Sequence, residues 1–304
     1  MADDSSSEEK HLLEQLAKTG FPLEVEVSDL LEPNWLVFPN EAYVDEDEGK
    51  TREIDMFAIH NSETDQLTWA NPPRLFLATY LAVECKRSET HAWVFLTRNE
   101  TVPPGLGSGQ TLDFLQVFSG DSQSFLEQTL ELPKLHYEAT EKIAHAGTPI
   151  RLKNNGSEKK ASKSEMRDDI FEARNQLMKF SSDFLNGYRK RFAKDPNKRD
   201  VALLFLTIVF DGPLYEAKME GQKWSVSPSK HVLLKSGRYS KTTGNFQSFL
   251  IDVVTKQGFA EHVKLLNNDI ALITNEVTFR NQELLSKADE AVKKLPGSFA
   301  FAKL

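Results

Sequence analysis

The sequence predicts an α/β protein, and three observations carry that prediction. A short helical pattern with an apolar stripe is followed by closely spaced strand-like runs between residues 35 and 86. A long amphipathic helix opens near Ser162. It feeds the run Val201-Ala-Leu-Leu-Phe-Leu-Thr-Ile-Val-Phe210, which is apolar and β-branched enough for a strand covered on both faces.

Taken in order, residues 1–9 are acidic and polar and read as a disordered tail, followed by a short helix carrying Leu12, Leu13 and Leu16 and ending at Gly20. Pro22 suits the first turn of a helix running to about Glu32, with Leu23, Val27, Leu30 and Leu31 as its stripe. Strands are expected at Trp35 to Val44, Arg52 to His60 and Leu75 to Lys86, with polar turns at 45–50 and 61–66, so that a helix leads into a three-stranded meander. Ala92 to Thr97 is a further strand. The stretch 99–161 is rich in Pro, Gly, Ser and Asn, lacks a long amphipathic period, and reads as an insertion. Ser162 and Glu165 then have capping-box spacing and open the helix in which Ile170, Ala173, Leu177, Phe180, Phe184 and Tyr188 recur at three and four residues. Beyond the strand at Val201 to Phe210, strands are expected at His231 to Lys235 and Phe249 to Thr255, and helices at about Phe259 to Asn267 and Asn281 to Lys294. No repeat or linker divides the chain, so residues 10–304 are expected as one domain: a core at about 20–97 and 162–210, the insertion at 99–161 and an extension at 211–304.

Composition narrows the function. The single cysteine, Cys85, excludes an internal disulfide and a cysteine-based zinc cage, and the seven histidines show no ligand spacing. No apolar run reaches the ~20 residues that a membrane-spanning helix needs, and the N-terminus lacks the basic and apolar parts of a secretory signal. A cytoplasmic protein without a membrane partner is expected. The net charge of -8 counts against coating nucleic acid by charge alone. Two local basic clusters, Tyr188 to Lys194 continuing to Lys198 and Arg199, and Lys153 to Lys163, read first as a solvated helix end and a loop.

The informative charges are those placed in apolar strands. Glu84 and Lys86 close the run Leu75-Phe-Leu-Ala-Thr-Tyr-Leu-Ala-Val-Glu-Cys-Lys86, and strand alternation projects both to one face while Val83 and Cys85 face the other. Asp55 lies in Ile54-Asp-Met-Phe-Ala-Ile59, and the strand order would bring it beside Glu84. Charges are seldom buried unless they are paired or bind metal. Two adjacent carboxylates make the oxygen-donor site that Mg²⁺ or Mn²⁺ prefers, and Lys86 can orient an attacking water or steady charge on a phosphate. Glu24 borders the apolar face of its helix and can add a further carboxylate, although a first-turn glutamate also suits the helix dipole. Cys85 reads as a small packed hydrophobe and Asp211 as a turn residue.

The order Gly20-Phe-Pro-Leu-Glu24, Arg52-Glu-Ile-Asp55 and Val83-Glu-Cys-Lys86 resembles the PD-(D/E)xK phosphodiesterase superfamily, and within it the Mrr-like and Holliday-junction-resolvase-like branches. The resemblance implies a restriction-endonuclease-like αβββαβ core with a central mixed sheet. It assigns Glu24, Asp55 and Glu84 to metal binding and Lys86 to catalysis. It also implies a Mg²⁺- or Mn²⁺-dependent nuclease acting on DNA, with a homodimer as a natural way to cut both strands. The motif's proline is replaced by Glu53-Ile54, and the long stretch after Lys86 departs from the family's spacing. A second reading is a catalytically silent scaffold of the same shape that binds nucleic acid or a protein partner.

Overall fold

The computed structural model describes residues 3–16, 19–45, 47–61, 76–99, 135–152, 169–192, 200–239, 241, 246–280, 282–283 and 286. Helices α1 (Asp3–Leu16) and α2 (Phe21–Leu31) precede β1 (Trp35–Asp45), β2 (Lys50–His60), β3 (Phe76–Arg87) and β4 (His91–Asn99). Then come α3 (His136–Ala139), β5 (Lys142–Arg151), α4 (Asp169–Phe192), β6 (Asp200–Asp211), β7 (Leu214–Glu220), β8 (Lys223–Pro228), β9 (His231–Tyr239), β10 (Phe246–Thr255) and α5 (Lys256–Phe279). The fold is mixed α/β, and its strands form one ten-stranded sheet in the order β1-β2-β3-β6-β10-β9-β5-β4-β7-β8.

The sheet is mixed because its connections differ in length. β1 and β3 are each antiparallel to β2, so the three strands form a meander. β6 runs parallel to β3 through twelve paired residues, Phe76↔Asp200 to Arg87↔Asp211, as a crossover connection requires. β10 continues the sheet parallel to β6 and is antiparallel to β9.

Side-chain alternation builds a core on each face. In β6, Leu203, Phe205 and Val209 join the cluster beneath α2 and α5, whereas Leu204, Leu206, Ile208 and Phe210 join the cluster beneath α4. This two-sided burial explains the uninterrupted apolar run seen in the sequence. Helix α2 contributes Leu23, Val27 and Leu31, while Leu30, expected in the same stripe, is 42% exposed. Helix α4 contributes Ile170, Ala173, Leu177 and Phe180, with Phe184 packed at its margin.

Several sequence expectations change. Helix α1 begins at Asp3, inside the stretch expected as a disordered tail; Glu8, Glu9, Lys10, Leu12 and Leu13 are favourable helix formers that acidic composition obscured. Leu12 and Leu13 remain exposed, so the helix owes little to core packing. The expected insertion includes α3 and β5, and β5 is an internal strand between β4 and β9. Its Gly147 and Pro149 look like loop residues, but Gly147 lies opposite Phe95, whose ring would be 2.6 Å from an added Cβ. Likewise, α5 runs on to Phe279 instead of stopping near Asn267, because the polar residues that interrupt its pattern have distant partners. Asn267 accepts a hydrogen bond from Trp35 Nε1 at 3.2 Å, and buried Asp269 accepts from the His136 backbone. The β7–β8 hairpin was not expected from the sequence. Ser162, Glu165, the segment Lys153 to Lys163, the side chains of Tyr188 to Arg199 and most of the helix expected at 281–294 lie outside the described residues. Among the described residues, no helix is long and apolar enough to cross a membrane.

Gly212 links β6 to β7 where an added Cβ would lie 2.8 Å from the Ser88 carbonyl oxygen and 2.5 Å from Phe210 Cζ. Because one of those neighbours is backbone, Gly212→Ala is expected to destabilise the protein by about 1–3 kcal/mol, measured by urea unfolding.

Candidate metal centre

The candidate centre forms where β2 leaves β3. Pairing between them spans Met56↔Val83 to Ile59↔Tyr80, and Asp55 is the next residue of β2 beyond it. Opposite Asp55, Asn40 of β1 has φ 52° and drops out of a ladder that pairs Pro39 with Met56 and Glu41 with Ile54. The hairpin turns about this point: Met56 and Ala58 enter the core beneath α2 and α5, whereas Ile54 enters the core beneath α4. Residues of one parity therefore face opposite sides of the sheet, the mark of a sharp local twist. Asp55 occupies the opening and its Oδ2 accepts a 2.7 Å hydrogen bond from the Cys85 N–H, so a side chain substitutes for the ladder bond that β2 no longer makes.

From β3, Val83 and Cys85 pack beneath α2 and α5, which directs Glu84 and Lys86 to the other face, as alternation predicts. Lys86 Nζ donates to Glu84 Oε2 at 2.6 Å and lies 3.7 Å from Asp55 Oδ2. The structure thus brings Asp55, Glu84 and Lys86 together. Glu84 is fully buried, whereas the Asp55 and Lys86 side chains are 24% and 22% exposed. Solvent and ligands therefore approach from the Asp55–Lys86 side. Glu84 Oε1 is buried without a hydrogen-bond partner among the described residues. A carboxylate oxygen left in that state costs free energy that a cation would recover.

The charges reinforce this picture. Burial pushes the Glu84 carboxyl up to about 8, with the Asp55 charge adding to the rise and Lys86 opposing it. Burial alone would lower the Lys86 ammonium, but Glu84 and Asp55 outweigh it and raise it. Glu24 is raised by burial and then by Asp55, while Lys86 pulls it down, so the α2 carboxylate shares the field of the centre. Burial, followed by the charges of Asp55, Glu24 and Glu84, pushes the Cys85 thiol well above its usual range, in keeping with a packed and unreactive side chain. Tyr43 is likewise raised by burial and by Glu84, remains a phenol, and donates to the Gln176 carbonyl oxygen at 3.3 Å. It meets Phe180 edge-on at 5.6 Å, so α4 buttresses the hairpin that carries Asp55. At the end of that hairpin, buried Asp45 accepts from Arg52 at 3.0 Å and from Lys179 of α4. Asp211 lies 3.5 Å from Arg87 through Oδ2, outside the centre.

Sequence reasoning missed a second polar cluster on the opposite face, beneath α5. Fully buried Asp252 of β10 receives His231 Nε2 at 2.7 Å and the Tyr137 hydroxyl at 3.0 Å, with His136 Nε2 at 3.4 Å and His262 Nε2 at 3.8 Å. His136 Nδ1 is hydrogen-bonded to Asp269. Burial would lower the His136 imidazole, but Asp252 and Asp269 raise it to about 9; His262, lowered by burial to about 3, stays neutral. Burial would raise Asp252, yet the charge and hydrogen bond of His136 and the hydrogen bond from His231 hold it well below the usual carboxylate range. These residues are dispersed along the chain and no spacing links them. The available signal is Asp252 itself, a carboxylate inside Phe249-Leu-Ile-Asp-Val-Val254.

No protein-family model, curated protein or solved structure matches the chain.

The Glu84 carboxyl is pushed up to about 8 in the folded protein, above its ordinary value of 4.5, so its protonated form favours the folded state and stability falls as pH rises between those values. Glu84→Gln removes this titration. In thermal melts of chelator-treated protein, the melting temperature of the variant is expected to gain on that of the parent as pH rises to about 8, then to hold a constant difference. A difference independent of pH would show that Glu84 is ionised throughout.

Proposed function

We propose that the chain is a metal-dependent phosphodiesterase that hydrolyses nucleic acid, with Asp55 and Glu84 as metal ligands, Glu24 as an additional carboxylate and Lys86 as the catalytic cation. The observation that carries the reading is the convergence of Lys86 Nζ on Glu84 at 2.6 Å and Asp55 at 3.7 Å, beside a buried Glu84 Oε1 without a partner. The order α2, β1, β2, β3, α4, β6, with antiparallel pairing through β3 and parallel pairing from β3 to β6, supports a restriction-endonuclease-like αβββαβ core within the larger sheet.

Asp55 and Glu84 offer only carboxylate oxygens, which fits Mg²⁺ or Mn²⁺; Glu24 adds its charge to the same field, although among the described residues the three carboxylates are not gathered within 4.8 Å of one another. When bound, such an ion supplies Lewis-acid polarisation of the phosphodiester and lowers the pKa of a water. Asp55 is oriented for this task by the Cys85 N–H, which fixes one oxygen and leaves the other available. Glu84 gives up its proton on accepting a cation, so binding strengthens as pH approaches about 8. Lys86, held by two carboxylates on a rigid strand, keeps N–H donors for a phosphate oxygen or an attacking water, at a position where negative charge grows during displacement. Its partial exposure gives the substrate access.

DNA as the substrate and a homodimer as the working unit rest on the family resemblance. A silent scaffold would have no need to retain a buried carboxylate that its own fold leaves half satisfied.

Incubation with supercoiled, linear and single-stranded DNA and with RNA, in Mg²⁺, Mn²⁺ or chelator, tests the reading. Metal-dependent cleavage is expected, with Asp55→Ala and Lys86→Ala each losing on the order of a hundredfold or more in rate. Glu24→Gln is expected to weaken metal binding more than it slows the saturated rate. Cleavage undiminished in Asp55→Ala or Lys86→Ala would assign the activity elsewhere, and metal binding without cleavage of any substrate would favour the scaffold.

A further inference from the structure

The cluster around Asp252 is chemically unlike the centre at Asp55. Its donors are imidazole nitrogens about one carboxylate, and one ligand atom from each of His231, Asp252 and His262 lies within 4.8 Å of the other two. Four-coordinate zinc, with bonds of about 2.0–2.1 Å, sets neighbouring ligand atoms about 3.3 Å apart. Here His231 Nε2 is 2.7 Å from one Asp252 oxygen, Oδ1, and His262 Nε2 is 3.8 Å from the other, Oδ2, so the carboxylate stands between the two imidazoles. The His231 and His262 ring centroids are 5.5 Å apart, close to the separation of about 5 Å for two imidazoles on one tetrahedral ion.

The surroundings are those of a built site. Asp252 is fully buried, and the Tyr137 hydroxyl and His136 Nε2 approach its Oδ2, fixing the carboxylate's orientation. Asp269 holds His136 through both the ring Nδ1 and the backbone N–H, an outer layer like the carboxylate–histidine pairs that stiffen metal sites. His262 is 2% exposed, and its Nδ1 has no hydrogen-bond partner among the described residues. Its Nε2 lies 3.2 Å from the Thr207 hydroxyl, a partner that a metal ion at this nitrogen would displace, while the buried Nδ1 costs free energy that a hydrophobe at this position would avoid. An entry route is present. His231 is 27% exposed and lines a pocket of about 300 Å³ together with Thr140, Lys142 and Glu216.

We infer that His231, Asp252 and His262 form a second metal site, selective for a zinc-type transition ion over Mg²⁺, which ties β9 and β10 to α5 on the face of the sheet opposite Glu84. The nitrogen donors select the ion, because Mg²⁺ prefers an all-oxygen shell that it retains partly as water, whereas imidazole suits Zn²⁺ and Co²⁺. With three protein ligands, a fourth position remains for water or another small ligand.

Titration of the chelator-stripped full chain with Co²⁺ alone, followed by visible absorption and then by displacement with Zn²⁺, tests the inference. One equivalent of Co²⁺ with ligand-field bands of a four-coordinate nitrogen–oxygen site is expected, unaffected by a large excess of Mg²⁺. The same spectrum is expected from Asp55→Ala, so failure of the phosphodiesterase reading would leave this result intact. His231→Ala, which removes a side chain that reaches the surface, is expected to weaken Co²⁺ binding by about a hundredfold or more while leaving the far-ultraviolet circular dichroism unchanged. It should also abolish the rise in melting temperature that Zn²⁺ gives the parent. Absence of the Co²⁺ bands in the parent, or their retention at parental affinity in folded His231→Ala, would overturn the site.

Discussion

The candidate centre depends on the parting of β2 from β3 at Asp55. Up to Met56 the two strands share a ladder, and beyond it the Asp55 carboxylate accepts from the Cys85 N–H in place of a ladder partner. A bond of this kind to a charged acceptor contributes about 1.5–3 kcal/mol, and here it also sets the angle at which the hairpin departs. Without the parting, Asp55 would be one residue in a continuous ladder, and no opening would separate its carboxylate from Lys86. With it, the strand ends splay, two carboxylates and an ammonium meet in the gap, and water reaches Asp55 and Lys86 but not Glu84.

The rest of the fold holds that opening in place. Tyr43 of β1 is clasped by the Gln176 carbonyl and the Phe180 ring, and Asp45 at the hairpin end is bound by Arg52 and Lys179, so α4 grips the departing hairpin at two heights. On the opposite face, α2 seals Val83 and Cys85 in the core through Leu23, Val27 and Leu31. Each face of β3 is thus fixed by a different helix. Glu84 is held in a dry position that raises its carboxyl, while Glu24 borders the same field from α2. Buried charge is a poor way to gain stability, and its concentration at one strand junction is what singles this junction out as the candidate site.

One physical rule marks both polar clusters. A carboxylate in the middle of an apolar strand must find partners, because the strand cannot turn it toward water without exposing its neighbours. Asp55 and Glu84 obey this rule in β2 and β3, and Asp252 obeys it in β10, where three histidines and a tyrosine surround it. Glu84 stands two residues from Lys86 on one strand face, so that pair is visible along the chain. Asp252 has no such neighbour along the chain. Its partners come from α3, β9 and α5, and the helix bearing His262 runs well past Asn267, where the sequence placed its end.

By itself, the sequence determined the features that depend on local periodicity: the helix α2, the meander of β1 to β3, the two-sided burial of β6, and the shared face of Glu84 and Lys86. These follow because alternation and the helical repeat are fixed by backbone geometry within a few residues. Only the tertiary structure decided what depends on partners far along the chain. It made β5 an internal strand, where Gly147 yields space to Phe95, and extended α5 through polar residues claimed by Trp35 and His136. It also brought His136, His231, Asp252 and His262 together. The physical reason is the same in each case: a residue that looks like a break in its own segment can be the half of a contact whose other half the local sequence does not contain.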